Sequence, residues 1–394
     1  MLASRQPIVT SVRRDAWVEV DLGAIEYNIA VVRGLLKPTT RLLAVVKSDA
    51  YGHGAVGVAE VLVASGADWL GVASVDEGCQ LRAAGISKPV LLLSPCPAWA
   101  LPTALEADLQ LTVMALSQIE DAAEAAEKVQ RIAKLHLKVD TGMHRLGARP
   151  DEAKALLESI VARPQLKLTG LFSHLSSADN EEITNRQNSV FKQVIAELRT
   201  HGHQSEVVHL ASSDATRLFP ETHHDMVRPG LILYGLASNS VSDVVKPAMS
   251  VRGRINHISD VQEGQSVGYN LTWTARRNGR SASIPIGYAD GIDRGLSNNM
   301  QGILLGKRVP QVGLISMDQM LFDITDVPQA QDSDVITLIG CDSVHAAEGP
   351  GRHSHTIYMA DWAKHLNTIT YELACRMRAR MPRIYTRHAV GRGR

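Results

Sequence analysis

The stretch LLAVVKSDAYGHG, residues 42–54, decides how the rest of the chain is read. An apolar, partly β-branched run (Leu42, Leu43, Ala44, Val45, Val46) stops at Lys47, and a small polar segment holding Gly52 and Gly54 follows at once. The pattern predicts a buried strand that ends on a lysine and passes into a turn. Desolvation at such a strand end favours the neutral amine, which can attack a carbonyl and form a Schiff base. A lone strand-end lysine more commonly snorkels to solvent. Here Tyr51 and His53 set polar and aromatic groups within a turn of Lys47, where a structural turn needs only Gly or Asp.

Further apolar runs follow that first one, at 69–73, 89–93, 109–113, 135–139, 166–172, 207–211 and 226–227. Helical segments separate them; 119–129 and 152–161 are alanine-rich, charged on one side and free of Gly and Pro. Strands alternating with helices in this way, eight of them in roughly 190 residues, predict a (β/α)8 barrel rather than an open sheet. Ahead of the barrel, residues 16–20 read as a short strand and Asp21 as the N-cap of a helix carrying Ile25, Ile29, Val32 and Leu36.

Residues 235–247 form a polar linker where the αβ rhythm stops. Beyond it, short alternating strands with glycine turns at 250–258, 281–286, 302–305, 309–315, 320–324 and 335–339 predict a smaller all-β domain. The expected division is therefore 1–240 for the barrel and 241–394 for the β-domain. Residues 341–357 form a polar insertion whose His345, His353 and His355 read as a solvated loop rather than a metal site. A last helix is expected at 361–377 and a disordered basic tail at 386–394.

The bulk composition narrows the function. Of 394 residues, 45% are hydrophobic, enough for sizeable cores, and 41 basic side chains balance 41 acidic ones. A neutral balance argues against nucleic acid and anionic membranes and for a small-molecule partner. Cys79, Cys96, Cys341 and Cys375 are scattered without a CxxC, which predicts buried free thiols and no metal site. The N-terminus lacks a signal-peptide core and no apolar run approaches a membrane span, so a cytoplasmic protein is expected.

In a barrel, chemistry belongs at the C-terminal strand ends, and those positions form a list of candidates. Strand one offers Lys47. Strand five, in LHLKVDTGMHRLG, alternates Leu135, Leu137 and Val139 with His136, Lys138 and Asp140, and its loop adds Arg145. Strand six ends in FSHL with His174, strand seven in HLASSD with His209, Ser212 and Ser213, and strand eight in VRPG with Arg228 and Gly230. Singly, each has a plain explanation: a histidine satisfied by a backbone carbonyl, an arginine neutralising a carboxylate. Together they converge on one rim. In the β-domain, SVGYNLTW (266–273) and IPIGYADG (284–291) each set a tyrosine after a glycine.

VVKSDAYGHG, KVDTGMHRLG, FSHLSSAD, VRPGLILYG, SVGYNLTW, IPIGYADG, ISMDQM, TITYEL and MPRIYTR, in order from Trp17 to Arg387, resemble the alanine racemase family. That resemblance implies a pyridoxal 5'-phosphate enzyme, a homodimer with shared active sites, that racemises alanine with two bases and supplies D-alanine for peptidoglycan. It implies that Lys47 holds the cofactor as a Schiff base and acts as one base, with Tyr269 of the partner subunit opposite. Arg228 would face the pyridine nitrogen, with His174 between it and Tyr269. Tyr51, Ser213, Gly230, Leu231 and Tyr371 would hold the phosphate, and Arg145 and the Met317 backbone the substrate carboxylate. Lys138 matches a position carbamylated in some members, and Tyr288 one that narrows the entrance. The chain departs from the family pattern at Asn270, where Gly is expected, at His144, and in the histidine-bearing insertion. The alternative is a broader amino-acid racemase accepting serine or a basic residue; a fold-related decarboxylase would want an acid where Arg228 stands.

Overall fold

In a computed structural model describing residues 14–202, 205–236, 244–341 and 356–387, the apolar runs close on themselves. Arg41–Val45, Trp69–Val72, Val90–Pro95, Leu109–Val113, Ala133–Lys138, Leu166–Phe172, Val207–His209 and Met226–Val227 form a closed parallel barrel, sealed where Arg41 and Leu42 pair with Met226 and Val227. The strands are hydrophobic on both faces because one face packs under helices and the other fills the barrel interior; Leu109–Val113 is buried along its whole length. Leu43, Val45, Trp69, Leu91, Val207 and Met226 make one cluster of that core. The polar positions that alternate along strand five are buried too: His136 and Lys138 lie inside, not on a solvated face.

Two of the surrounding helices show why the alanine-rich segments fold as they do. Leu116–Lys128 buries Ile119, Ala122, Ala123, Ala125 and Ala126, and Ala153–Val161 buries Ala153, Leu156, Leu157 and Ile160, each a stripe at helical spacing. Leu22–Gly34 starts where expected, with the Gly23 N–H donating to Asp21 Oδ1 at 2.8 Å.

The chain divides into two units, Ala24–Lys246 with the barrel, and Pro247–Arg394 joined by the N-terminal segment Met1–Gly23. The second unit holds a ten-stranded sheet. Its order is His257–Val261, Gly279–Ile284, Met320–Asp323, Lys307–Val312, Gln301–Leu304, Val335–Cys341, Met249–Arg254, Ala16–Asp21, Arg383–Thr386, with Thr356–Ile357 on Val335–Cys341. Ser266–Val267 and Trp273–Thr274 form a separate hairpin.

Four details differ from the sequence expectation. Ala16–Asp21 does not accompany the barrel: it runs antiparallel to Met249–Arg254 and parallel to Arg383–Thr386, burying Ala16, Val18 and Val20, with Glu19 on Arg252 at 2.9 Å. The strand expected at 250–258 is two strands, Met249–Arg254 and His257–Val261. The last helix is also two, Met359–His365 and Thr370–Arg376, because Asn367 between them takes a left-handed φ of 52°. Cys375 is exposed and the other cysteines half-buried, since Thr370–Arg376 turns Leu373 and Ala374 inward instead. His345, His353 and His355, residues 237–243 of the linker and the tail from 388 lie outside the described residues. Among the described residues, no helix is long and apolar enough to cross a membrane.

Candidate active site

Directly after Lys47 the backbone inverts. Ser48, Asp49, Ala50 and Tyr51 all have φ of 53–54° and ψ of 41–50°, one turn of left-handed helix built from L-residues without glycine. That conformation costs roughly 1–2 kcal/mol per residue, so neighbouring groups must hold it. The Ser48 N–H donates to Glu77 Oε1 at 2.6 Å, Ala50 N–H to the Val46 carbonyl at 2.9 Å, and Asp49 Oδ1 accepts from Ala55 N–H at 2.7 Å. The inversion carries Tyr51 to strand eight, where a Cβ on Gly230 would sit 2.9 Å from the Tyr51 hydroxyl oxygen. Tyr234 backs this arrangement, its ring 5.1 Å from that of Tyr51 and its hydroxyl donating to the Val45 carbonyl at 2.8 Å. The sequence predicts a turn here; its handedness has no signature in Ser-Asp-Ala-Tyr.

Arg228, at the end of strand eight, is buried. Its Nη2 donates to the carbonyls of Ser173 at 2.7 Å and Leu210 at 3.0 Å and to His174 Nδ1 at 3.3 Å, and its Nη1 to His209 Nδ1 at 2.9 Å. None of these partners is a carboxylate, so the plain explanation for a strand-end arginine fails. Burial draws the guanidinium down to about 9, which leaves it charged at neutral pH. Burial and then the Arg228 charge push His174 down to about 3 and His209 well below its ordinary value, so both imidazoles are neutral.

Around this cation the other rim positions gather. Lys138 is buried, its Nζ 5.3 Å from the Phe172 ring centre. Its ammonium is pushed down to about 8, first by burial and then by the charges of Arg228, Arg145 and Lys47, against a smaller opposing pull from Asp140. Lys47, Lys138, Arg145, His174 and Arg228 therefore share one electrostatic environment. Arg145 is exposed on the loop after strand five, where Asp140 Oδ1 takes the N–H groups of Gly142 and Met143 at 2.8 and 2.9 Å. That loop closes through Gly147, where a Cβ would overlap the Asp140 backbone. Ser213 Oγ accepts from the N–H of Gly230 at 2.9 Å and of Ile232 at 3.4 Å; Leu231 lies between them, half-buried.

The remaining candidates belong to the second unit, and all four are exposed: Tyr269, Tyr288, Met317 and Tyr371. Tyr269 opens a short turn between the strands of the Ser266–Val267 hairpin, followed by Asn270 at φ 58°. The expected glycine and the observed asparagine answer the same requirement, a left-handed residue. Tyr288 and Met317 are tied together, Tyr288 N–H donating to the Ser316 carbonyl and Ala289 N–H to the Met317 carbonyl, each at 3.0 Å. Gly287 permits that approach, since a Cβ there would overlap both carbonyls. The same turn is anchored by Asp290, fully buried, which accepts from Arg14 at 2.8 Å and Arg380 at 2.7 Å. Sequence reading misses Asp290 and its two arginines, and it misses Gln110, which is buried beside His136. A charged residue in a buried turn was the available signal for the first; nothing distinguishes the second.

The model for "Alanine racemase, N-terminal domain" matches residues 20–238, and that for "Alanine racemase, C-terminal domain" matches residues 248–385. An alanine racemase of Nostoc sp. is 39% identical over 94% of this chain and 95% of its own length, and alanine racemase 2 of Oceanobacillus iheyensis is 41% identical over 95% and 94%. Among solved structures, the alanine racemase of Bacillus anthracis with bound L-Ala-P superposes with a TM-score of 0.86 at 33% identity, covering 96% of each chain.

Proposed function

Because this chain belongs to the alanine racemase family, we propose that it interconverts L- and D-alanine with pyridoxal 5'-phosphate as cofactor and Lys47 and Tyr269 as the two bases. D-alanine made in this way serves peptidoglycan synthesis in the cytoplasm. The barrel rim suits the cofactor on two counts: bare Gly230 leaves room beside the Tyr51 hydroxyl that a Cβ would fill, and Arg228 is a buried donor without an acid. When bound, pyridoxal phosphate supplies an electron sink that acidifies the substrate Cα–H.

The roles of the side chains are those the family resemblance implies. Lys47 anchors the cofactor; Tyr51, Ser213, Gly230, Leu231 and Tyr371 hold its phosphate. Arg228 would lie at the pyridine nitrogen. A guanidinium keeps its protons, so it disfavours a protonated ring nitrogen, limits the sink and favours return of a proton to Cα over side reactions. His174, neutral and accepting from Arg228 at Nδ1, has its proton on Nε2 to donate toward the Tyr269 oxygen. Racemisation moves one proton off one face of Cα and another onto the opposite face, and Lys47 and Tyr269 serve one face each. Arg145 and the Met317 N–H take the substrate carboxylate. Lys138 matches a position carbamylated in some members of the family, where the negative charge so gained would orient Arg145, and Tyr288 one that narrows the entrance. The two bases lie in different units of the chain, and the site is completed in a homodimer, Tyr269 coming from the other subunit.

The observation that carries this reading is Arg228, a buried cation held, among the described residues, only by carbonyls and neutral imidazoles. The test is a chiral assay of the cofactor-loaded enzyme from both L- and D-alanine, with Lys47→Ala and Tyr269→Phe as controls. The expected result is approach to an equal mixture from either side, lost in both variants. Retention of full activity by either variant, or no racemisation by the loaded wild type, would overturn the reading.

A further inference from the structure

Beneath the rim, three barrel strands contribute one polar side chain each to a buried line: Gln110 from Leu109–Val113, His136 from Ala133–Lys138 and His209 from Val207–His209. The line ends on Arg228. Its contacts run Arg228 Nη1 to His209 Nδ1 at 2.9 Å, His209 Nε2 to His136 Nδ1 at 3.0 Å, and His136 Nε2 to Gln110 Oε1 at 2.9 Å.

A guanidinium has hydrogens to donate and no lone pair to accept, which fixes the sense of the whole chain. His209 Nδ1 must accept, so the proton of a neutral His209 sits on Nε2 and donates to His136 Nδ1. The proton of His136 then sits on its Nε2 and donates to Gln110, whose carbonyl oxygen closes the line. A second proton on either ring would set N–H against N–H in a buried space, and burial together with Arg228 holds both rings neutral. The ring planes are held as well. Phe172 stacks on His209 with centroids 4.7 Å apart, Trp69 meets His136 edge-on at 5.4 Å, and Gly170 leaves the space that its own Cβ would take from the His136 ring.

Resting on the reading above, we propose that Gln110 and His136, neither of which reaches the rim, are positioning residues for Arg228. By accepting the protons that Arg228 directs down the line, they hold both rings in place and so hold which guanidinium hydrogens are engaged below. Nη1 is held by His209 and Nη2 by Ser173, Leu210 and His174, which leaves Nε–H without a partner among the described residues. Without the Gln110 acceptor, the buried His136 Nε2–H is left unpaired, and a ring that tilts to find another partner draws its Nδ1 off the His209 N–H and loosens His209 on Arg228.

Neutron diffraction from deuterium-exchanged crystals of the wild-type holoenzyme reads the tautomers directly. Deuterons on Nε2 of both His136 and His209, and none on either Nδ1, are expected; a deuteron on either Nδ1 overturns the proposal. Gln110→Leu and the length-matched Gln110→Met remove the acceptor, so that if one fails to fold the other reports. Either should lower kcat roughly tenfold while KM for alanine stays within about twofold. A folded variant with lower thermal stability but unchanged kcat would reduce Gln110 to packing and contradict the proposal. Wild-type enzyme that fails to racemise alanine defeats the functional reading instead, and the deuteron positions still decide the tautomers on their own.

Discussion

One carboxylate spans two strand ends: Glu77 Oε1 takes the N–H of Ser48 at 2.6 Å, and its Oε2 takes the N–H of Ala73 at 2.7 Å. Glu77 also belongs to a capping box with Ser74 at the start of Val75–Ala83. It thus clamps the strained turn beside Lys47 to a well-capped helix. Glu77→Ala is expected to lower stability by about 1–2 kcal/mol. It should also reduce the yield of pyridoxal phosphate fixed on Lys47 by borohydride, measured by peptide mass spectrometry. Loss of stability with full labelling would mean that the turn keeps its shape without the clamp.

Lys138 gives a pH dependence whose sign can be worked out. Its folded value of about 8 lies below the unfolded 10.5, so between those values the unfolded chain binds more protons and stability rises with pH. Below about 8 the buried charge is a full penalty. Lys138→Met apoenzyme in carbon dioxide-free buffer should therefore be more stable than wild type at pH 7, by about 2–3 kcal/mol. The gap should narrow toward pH 10. Denaturant titrations at three pH values measure it; a gap independent of pH would show that Lys138 is not the titrating group.

What the sequence conveys here depends on range. The eight barrel strands are legible because each is an apolar run bounded by helix signals, a local property. Ala16–Asp21 is legible as a strand but not in its partnership, because its neighbours Met249–Arg254 and Arg383–Thr386 are far along the chain. The rim residues Lys47, His174, Ser213 and Arg228 are legible from one rule, that barrel chemistry sits at C-terminal strand ends. The left-handed turn after Lys47 is not, because it is imposed by Glu77, Asp49 and packing of Ala50 rather than by glycine. His136 and His209 are visible as candidates, yet their bond to each other, and that of His136 to Gln110, arise only when strands meet across the barrel.

Gly287 tests the tie between Tyr288 and Met317. Its φ of −150° suits any residue, so Gly287→Ala acts through the overlap of the new methyl with the Ser316 and Met317 carbonyls. A loss of about 2–4 kcal/mol is expected, together with a raised KM for alanine as the Met317 backbone is displaced. An unchanged KM would detach Met317 from substrate binding.

Reversing the charge at Arg228 tests its role toward the cofactor. Arg228→Glu should favour a protonated ring nitrogen, slow racemisation by roughly a hundredfold or more, and bring up a long-wavelength absorbance band during turnover. An unchanged spectrum and rate would remove Arg228 from the chemistry.

The central claim is that Lys47 of one subunit and Tyr269 of the other act on the same alanine. Lys47→Ala and Tyr269→Phe subunits, each inactive alone, can be unfolded together and refolded. Every mixed dimer then has one site with both lesions and one with neither. With random pairing about half the dimers are mixed and half their sites intact, so about a quarter of wild-type activity should return. No recovery, with mixed dimers demonstrated by native mass spectrometry, would contradict the claim and place both bases in the same chain.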